Sequence, residues 1–252
     1  MDNDHQLVDL QETLYRSANP TRRWLHCIRR DWIISAMRRY QTTEARQALE
    51  IGPGSGIYLP ELADLYQQVY VSDIESAYLN NAEQRLQHLS NLNIYVDDIT
   101  ASQLPVASFD FILCTEVIEH IEDSQCALAQ MWRLLRPGGV LLLSTPQRYS
   151  TLEQTAKIAF LPGIIQLVKM IYNEPVMETG HINLLTEVEL KQQIDNAGFS
   201  VVEESHKSGF YLPLIAEFLG KSGLKLEQFL EQKINGGRLD WLLWTQYFVL
   251  RK

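Results

Sequence analysis

Two different rhythms of apolar and polar residues run along the chain. Trp24, Leu25, Ile28, Trp32, Ile33, Ala36 and Met37 recur at three- and four-residue spacing, which predicts an amphipathic helix. Asn19-Pro20 marks its start, and Thr21 is the expected N-cap. From residue 47 short apolar runs alternate with longer helical stretches. QALEIG (47–52), QVYVSD (68–73), NIYVDD (93–98), FDFILC (109–114) and GVLLLST (139–145) read as strands. LPELADLY, SAYLNNAEQRLQHL and the stretch from Glu116 to Leu135 read as the helices between them. The runs ILC and VLLLS are continuously apolar, as expected of strands buried on both faces. Alternating strands and helices imply a parallel sheet with right-handed crossovers. The expected organisation is an N-terminal helical cap over 1–45 and an α/β domain over 46–252.

Residues 146–186 interrupt the alternation, and a connection of that length inside an α/β unit is expected to be functional. It holds AKIAFLPGIIQLVKMIY (156–172), with twelve apolar residues in seventeen, broken by Pro162-Gly163. Three readings fit this insert: a lid packed on the core, an apolar acceptor pocket, or a peripheral membrane contact through 156–172. Beyond it come a helix near Glu187–Ala197 ending at Gly198, a strand at 199–206, further helical sequence and a last strand, TQYFVLRK (245–252).

Charge narrows the functions. The formal net charge is −9, which argues against a nucleic-acid partner, because neutralising phosphates needs a basic face. The distribution is uneven: residues 1–48 hold eight Arg against six Asp and Glu, and the rest hold fourteen basic against twenty-five acidic residues. The paired arginines of the first helix read as a solvated face, with a lid over an anionic group as the sharper alternative. Three cysteines without metal-type spacing do not form a disulfide framework. The acidic N-terminus is unlike a secretory signal, and no apolar run is long enough to span a membrane. A cytoplasmic location is therefore expected.

The chemistry concentrates in LEIGPGSGIYLPELA. Gly52, Gly54 and Gly56 follow a strand and precede a helix, where glycine permits a sharp turn and close approach of backbone to ligand. Asp73 ends the next strand, 21 residues after Gly52, where a carboxylate can accept both hydroxyls of a ribose. Asp97-Asp98 end the third strand, placed to hold an adenine amino group. A dinucleotide fingerprint needs a glycine at position 57; Ile57 stands there, so a nicotinamide oxidoreductase is disfavoured. Glu116, Glu119 and His120 fall at i, i+3 and i+4, on one face of the predicted helix. With the later His181 they form a set suited to a divalent ion. The alternative is that His120 or His181 acts as a general base, or that the set merely shapes the pocket. His5, His26, His88 and His206 read as surface or core residues.

The segments LEIGPGSG, VYVSD, LPVASFDFILCTEVIEHIED and LLRPGGVLLLSTP, in this order, resemble those of class I S-adenosylmethionine-dependent methyltransferases. GHINLLTEVELKQQIDNAGFSVVE is similar to the end of the type 11/12 small-molecule subgroup, and Glu-x-x-Glu-His resembles ubiquinone-pathway O-methyltransferases. A later His completes a set similar to that of metal-dependent RNA 2′-O-methyltransferases. The resemblance implies a seven-stranded, mostly parallel Rossmann-like sheet with an antiparallel last strand. It implies that Glu50, Gly52, Gly54 and Gly56 surround the methionine end of S-adenosylmethionine and that Asp73 and Ile74 hold the ribose. Asp98 and Ile99 would hold the adenine, ahead of Asp97, and Cys114 and Thr115 would lie beside the sulfonium. Cys114 is expected to be a small apolar neighbour, since no basic group stands near to make a thiolate. Glu116, Glu119, His120 and His181 would bind a divalent ion, and Glu116, His120 and His181 would serve catalysis. The expected activity is methyl transfer to a small, moderately apolar acceptor, most readily at oxygen. Transfer to carbon or nitrogen, RNA 2′-O-methylation and a catalytically silent cofactor-binding protein are the alternatives.

Overall fold

The computed structural model describes residues 14–41, 46–161, 163–166 and 180–252. The membrane contact expected through 156–172 therefore falls partly outside the described residues, at 162 and 167–172. No helix among the described residues is long and apolar enough to cross a membrane.

The helix α1 (Pro20–Tyr40) begins two residues earlier than its sequence suggested. Asn19 is the N-cap, its Oδ1 accepting from the N–H groups of Thr21 and Arg22, with Pro20 in the first turn. Pro at that position has no N–H to leave unsatisfied, so the cap falls to the residue before it. Thr21 is instead buried inside the helix and donates its hydroxyl to Glu227 at 2.6 Å.

Seven strands follow in one sheet: β1 (Gln47–Ile51), β2 (Gln68–Asp73), β3 (Leu92–Val96), β4 (Phe109–Thr115), β5 (Leu135–Pro146), β6 (Ser200–Ser208) and β7 (Thr245–Arg251). Their order is β3-β2-β1-β4-β5-β7-β6. Only β7 runs antiparallel to its neighbours, slotted between β5 and β6. The connecting helices are α2 (Leu59–Leu65), α3 (Ser76–Arg85), α4 (Ser124–Leu134), α5 (Thr151–Ala159), α6 (Glu187–Ala197) and α7 (Pro213–Ile234), the last kinked at Gly220. Arg136-Pro137-Gly138-Gly139 is not a turn ahead of β5 but its irregular head, where the register with β4 shifts.

Strand alternation sorts the core into two faces. Leu49, Ile51, Ile112, Cys114, Leu141 and Leu143 pack with Leu128 and Met131 of α4 and Leu190 and Ile194 of α6. Ala48, Val71, Phe111, Leu113, Leu142 and Tyr247 pack on the other side with Ile33, Ala36 and Met37 of α1 and Leu59 and Leu62 of α2. Thus α1 packs its apolar stripe into one wall of the core.

The excursion after β5 is pinned where it leaves and returns. Gln147 and Leu185 form a parallel bridge, Arg148 N–H bonds Leu185 O, and Gln147 N–H bonds Trp244 O at 2.6 Å.

Candidate active site

The sheet order reverses between β1 and β4, and the groups of interest gather at the carboxyl ends of these strands. That is where an open parallel sheet leaves a crevice for a ligand. The loop after β1 turns through three glycines with positive φ, Gly52 (+67°), Gly54 (+53°) and Gly56 (+73°). At Gly52 the requirement is steric as well, because an added Cβ would run into Val117 Cγ2. Beneath this loop Glu50 is fully buried in β1, and neither carboxylate oxygen has a partner. Burial alone pushes its pKa up to about 8. A carboxylate kept dry and unpaired is costly, and it fits a cationic or N–H-bearing group of a ligand seated in the loop.

At the end of β2, Asp73 Oδ1 accepts from the Glu75 N–H at 2.9 Å. Burial raises its pKa, and that N–H partly offsets the rise. Ile74, beside it, is exposed. At the end of β3 the two aspartates part ways. Asp98 Oδ1 caps the following turn, taking the N–H and hydroxyl of Thr100, and Ile99 packs into the core. Asp97 Oδ1 takes the Gln103 N–H, while its Oδ2 is buried without a partner. The unsatisfied oxygen at this end of the crevice therefore belongs to Asp97, not to Asp98, which the sequence reading preferred. Residue burial could not be read from two adjacent aspartates.

The segment after β4 departs from the sequence reading. Glu116, Glu119 and His120 do not share a helical face. Glu116 has φ +56°, 118–120 is a single 3-10 turn, and α4 starts only at Ser124, capped by Asp123. The left-handed residue turns the chain sharply and sends the two glutamates different ways. Glu116 accepts from Ser144 Oγ through one oxygen and from Arg29 of α1 through the other. Arg29 sits 4.8 Å over the Trp244 ring and beside His26. Burial works against its charge, but the adjacent Glu116 carboxylate outweighs it and raises the guanidinium pKa.

Glu119 is fully buried. Its Oε2 accepts from Thr145 Oγ1 at 2.9 Å, and Oε1 has no partner. Burial, then repulsion from Glu116, raises its pKa well above the usual carboxylate range. His120 and His181 complete the group, with ring centroids 5.2 Å apart. One donor atom from each of Glu119, His120 and His181 lies within 4.8 Å of the others; Glu116, taken by Arg29, stands outside this trio. The Gly180 carbonyl, which can only accept, lies 3.2 Å from His120 Nδ1, so that nitrogen carries the proton and Nε2 keeps its lone pair. His181 Nδ1 is likewise 3.2 Å from Glu153 Oε2, and Glu153 Oε1 takes the Trp244 indole N–H. Imidazoles tied back in this manner to a carbonyl and a carboxylate are the usual arrangement around a metal. Burial, then the neighbouring His181, lowers the His120 pKa, which favours the neutral ring.

Cys114 lies at the end of β4, fully buried and paired in register with Ile51. Burial, then Glu119 and Glu116, pushes its thiol pKa well up, so it is an apolar neighbour and no nucleophile. Thr115 pairs in register with Ser144.

Arg29 and Glu153 were not found from sequence. Arg29 lies on the stripe Leu25, Ile33 and Ala36, four and seven residues away, a signal hidden by reading the arginine pairs as solvated. Glu153 follows Ser150 at the spacing of a helix cap, and nothing in that pattern announces a second use.

A family profile described as a methyltransferase domain matches residues 23–204. A protein of Mycolicibacterium smegmatis described as a probable S-adenosylmethionine-dependent methyltransferase is 30% identical over 156 residues, 62% of this chain and 52% of that protein. The ubiquinone biosynthesis O-methyltransferase of Methylococcus capsulatus is 30% identical over 129 residues, 50% of this chain and 52% of that one. The chain thus spans about half the length of the curated relatives it matches. Among solved structures, N-methyltransferase NodS of Bradyrhizobium japonicum, in complex with S-adenosyl-L-homocysteine, superposes with a TM-score of 0.58 at 17% identity, covering 100% of this chain and 97% of that one. At that identity the likeness establishes the fold.

Proposed function

The chain belongs to the methyltransferase-domain family, and from that premise we propose that it is an S-adenosylmethionine-dependent enzyme that methylates an oxygen of a small, moderately apolar acceptor. Bound S-adenosylmethionine supplies a methyl group already activated by its sulfonium, so the protein's task is alignment in a dry crevice. Gly52, Gly54 and Gly56 leave room for the methionine end, and the unpaired Glu50 carboxylate is suited to its ammonium. Asp73 is suited to the ribose hydroxyls. Asp97 offers an unsatisfied acceptor for the adenine amino group, with Asp98 and Ile99 adjoining. Cys114 and Thr115 close the floor at the end of β4.

The observation that carries the oxygen reading is the trio Glu119, His120 and His181 at the carboxyl end of β4. A hydroxyl gives up its proton on methylation and needs an acceptor for it or a cation beside it. The unsatisfied Glu119 Oε1 and two imidazoles whose Nδ1 atoms are tied back to Gly180 O and Glu153 favour a divalent ion such as Mg²⁺ or Mn²⁺ at this point. Such an ion, held by these three side chains, would stabilise the acceptor as its alkoxide or phenolate. Glu116 keeps Arg29 and Ser144 in place beside it. The second reading is His120 as general base, favoured by the burial that keeps its ring neutral.

A methyl-transfer screen of phenols, quinols, hydroxy acids and amines, with and without EDTA, tests both. Transfer to a phenol or quinol that EDTA abolishes and Mg²⁺ or Mn²⁺ restores is the expected result. Transfer indifferent to EDTA leaves the His120 base, and transfer to amines alone overturns the oxygen reading.

A further inference from the structure

The outer face of α7 has no role in the crevice, yet its composition is unlike the rest of the chain. Two of its three acids are turned inward. Glu227 accepts from Thr21 Oγ1 and the Leu212 N–H, and Glu231 from the N–H groups of Gly209 and Phe210; both are buried. These bonds anchor the helix. Outward, Lys225, Phe229 and Lys233 form one row at four-residue spacing, with Leu226 alongside. All four are exposed, and Lys233 Nζ sits 5.6 Å over the Phe229 ring. Before the kink, Phe218 and Leu219 are 70% and 53% exposed, and Lys221 follows them into solvent. Past the helix come exposed Arg238, Leu239 and Trp241, while Asp240 is held by the buried Lys207. Glu217 is the helix's remaining acid.

Tethering Glu227 and Glu231 inside has a consequence for a chain of net charge −9. It leaves a surface that is both apolar and positive, with no acid among the described outward side chains of 218–239. Single exposed apolar residues are ordinary, but several along one kinked helix, interspersed with cations, resemble a helix that lies in a membrane interface. The lysine stems and aromatic rings sink to the depth of the acyl boundary while the ammonium groups stay with the headgroups. We propose that the outward face of α7, carried by Phe218, Lys221, Lys225, Phe229 and Lys233, docks the enzyme on the surface of an anionic membrane. Charge complementarity selects this occupant: a neutral bilayer would not call for the lysines, and a soluble acidic partner would not call for Phe218 and Leu219 side by side. This surface lies on a different element from 156–172, and it does not depend on which atom is methylated.

The test is flotation of the full-length protein with vesicles of phosphatidylcholine alone or with about a quarter phosphatidylglycerol. Wild type should partition onto the anionic vesicles at least about tenfold better than onto the neutral ones, and salt should release it. The triple variant Lys221→Glu, Lys225→Glu, Lys233→Glu should lose that preference. The variant Phe218→Ser, Phe229→Ser keeps every charge and should also fall by about tenfold or more. Cofactor affinity and circular dichroism should match wild type in both, since all five side chains are exposed. Absence of wild-type binding to anionic vesicles overturns the proposal. So does binding by both variants as strong as that of wild type, which would assign the contact to another surface. A dimer in sedimentation that Phe229→Ser disperses, without vesicle binding, would assign the face to a second copy of the chain.

Discussion

The two halves of the crevice each bury a glutamate, and they treat its charge differently. Glu50, in the half built by β1, β2 and β3, has no polar partner for either oxygen. Glu119, in the half built by β4, β5 and the excursion after β5, has Thr145 on one oxygen, no partner on the other, and two imidazoles close by. A third, Glu116, stands at the boundary and is fully paired with Arg29 and Ser144. A buried carboxylate is tolerable when a hydrogen bond, a cation or a proton answers it. In the first half that answer has to come from the ligand or a proton. In the second half the protein supplies part of it and leaves one oxygen for something further. On the function proposed above, the cradle suits one charged ligand, and the second half suits positioning a proton or an ion.

The largest test of this contrast removes the guanidinium at the boundary. Arg29→Met should destabilise the fold by about 3–5 kcal/mol in chemical denaturation, the usual result of breaking a buried pair. The double variant with Glu116→Gln should recover most of the loss. An undiminished stability in the single variant would show that Glu116 does not depend on α1.

Glu50→Gln probes the other half with the opposite sign. The folded-state pKa is about 8, above the 4.5 of an ordinary glutamate. The fold therefore binds this proton more tightly than the unfolded chain does. The stability this contributes is complete below pH 4.5 and is lost as pH rises towards 8. Without cofactor, Glu50→Gln should be more stable than wild type at pH 7 by on the order of 3 kcal/mol, and equal to it near pH 4. Thermal melts across that range measure the difference, and calorimetry should show weaker cofactor binding in the same variant. A melting curve that shifts in parallel at every pH would break the assignment.

Glu119→Gln sharpens the comparison at the trio. It should weaken Mn²⁺ binding, read by electron paramagnetic resonance, by about a hundredfold, with cofactor affinity unchanged. The smallest effect belongs to Asp73→Ala, which should lower cofactor affinity by about 1–3 kcal/mol through loss of ribose hydrogen bonds. Normal affinity in that variant would place the ribose elsewhere.

The same two halves differ in how openly the sequence declares them. The strands of the first half were legible because continuous apolar runs with turn residues between them admit few other folds, and the glycines stand at the positions where the turn demands them. The second half was legible in its residue types and misread in its geometry. The run from Glu116 to Leu135 has helical periodicity, yet Glu116 adopts the left-handed region and α4 waits for the Asp123 cap. A non-glycine residue at positive φ leaves no compositional mark. Glu119, His120 and His181 still meet, because the 3-10 turn and the returning excursion bring them together by a route other than a helix face. Arg29 and Glu153 escaped for a related reason. Their surroundings come from elements distant in the chain, and a charged side chain in a helix looks the same whether water or Glu116 faces it.

The bridge between Gln147 and Leu185 bears on how such an enzyme changes. It fastens both ends of the excursion at one spot, so what lies between, with Glu153 and the His181 it holds, can be exchanged as one piece. If the excursion carries the acceptor side of the proposed reaction, it travels as an exchangeable cassette on an unaltered cofactor half, and a chimera made at these two residues should fold as its host does.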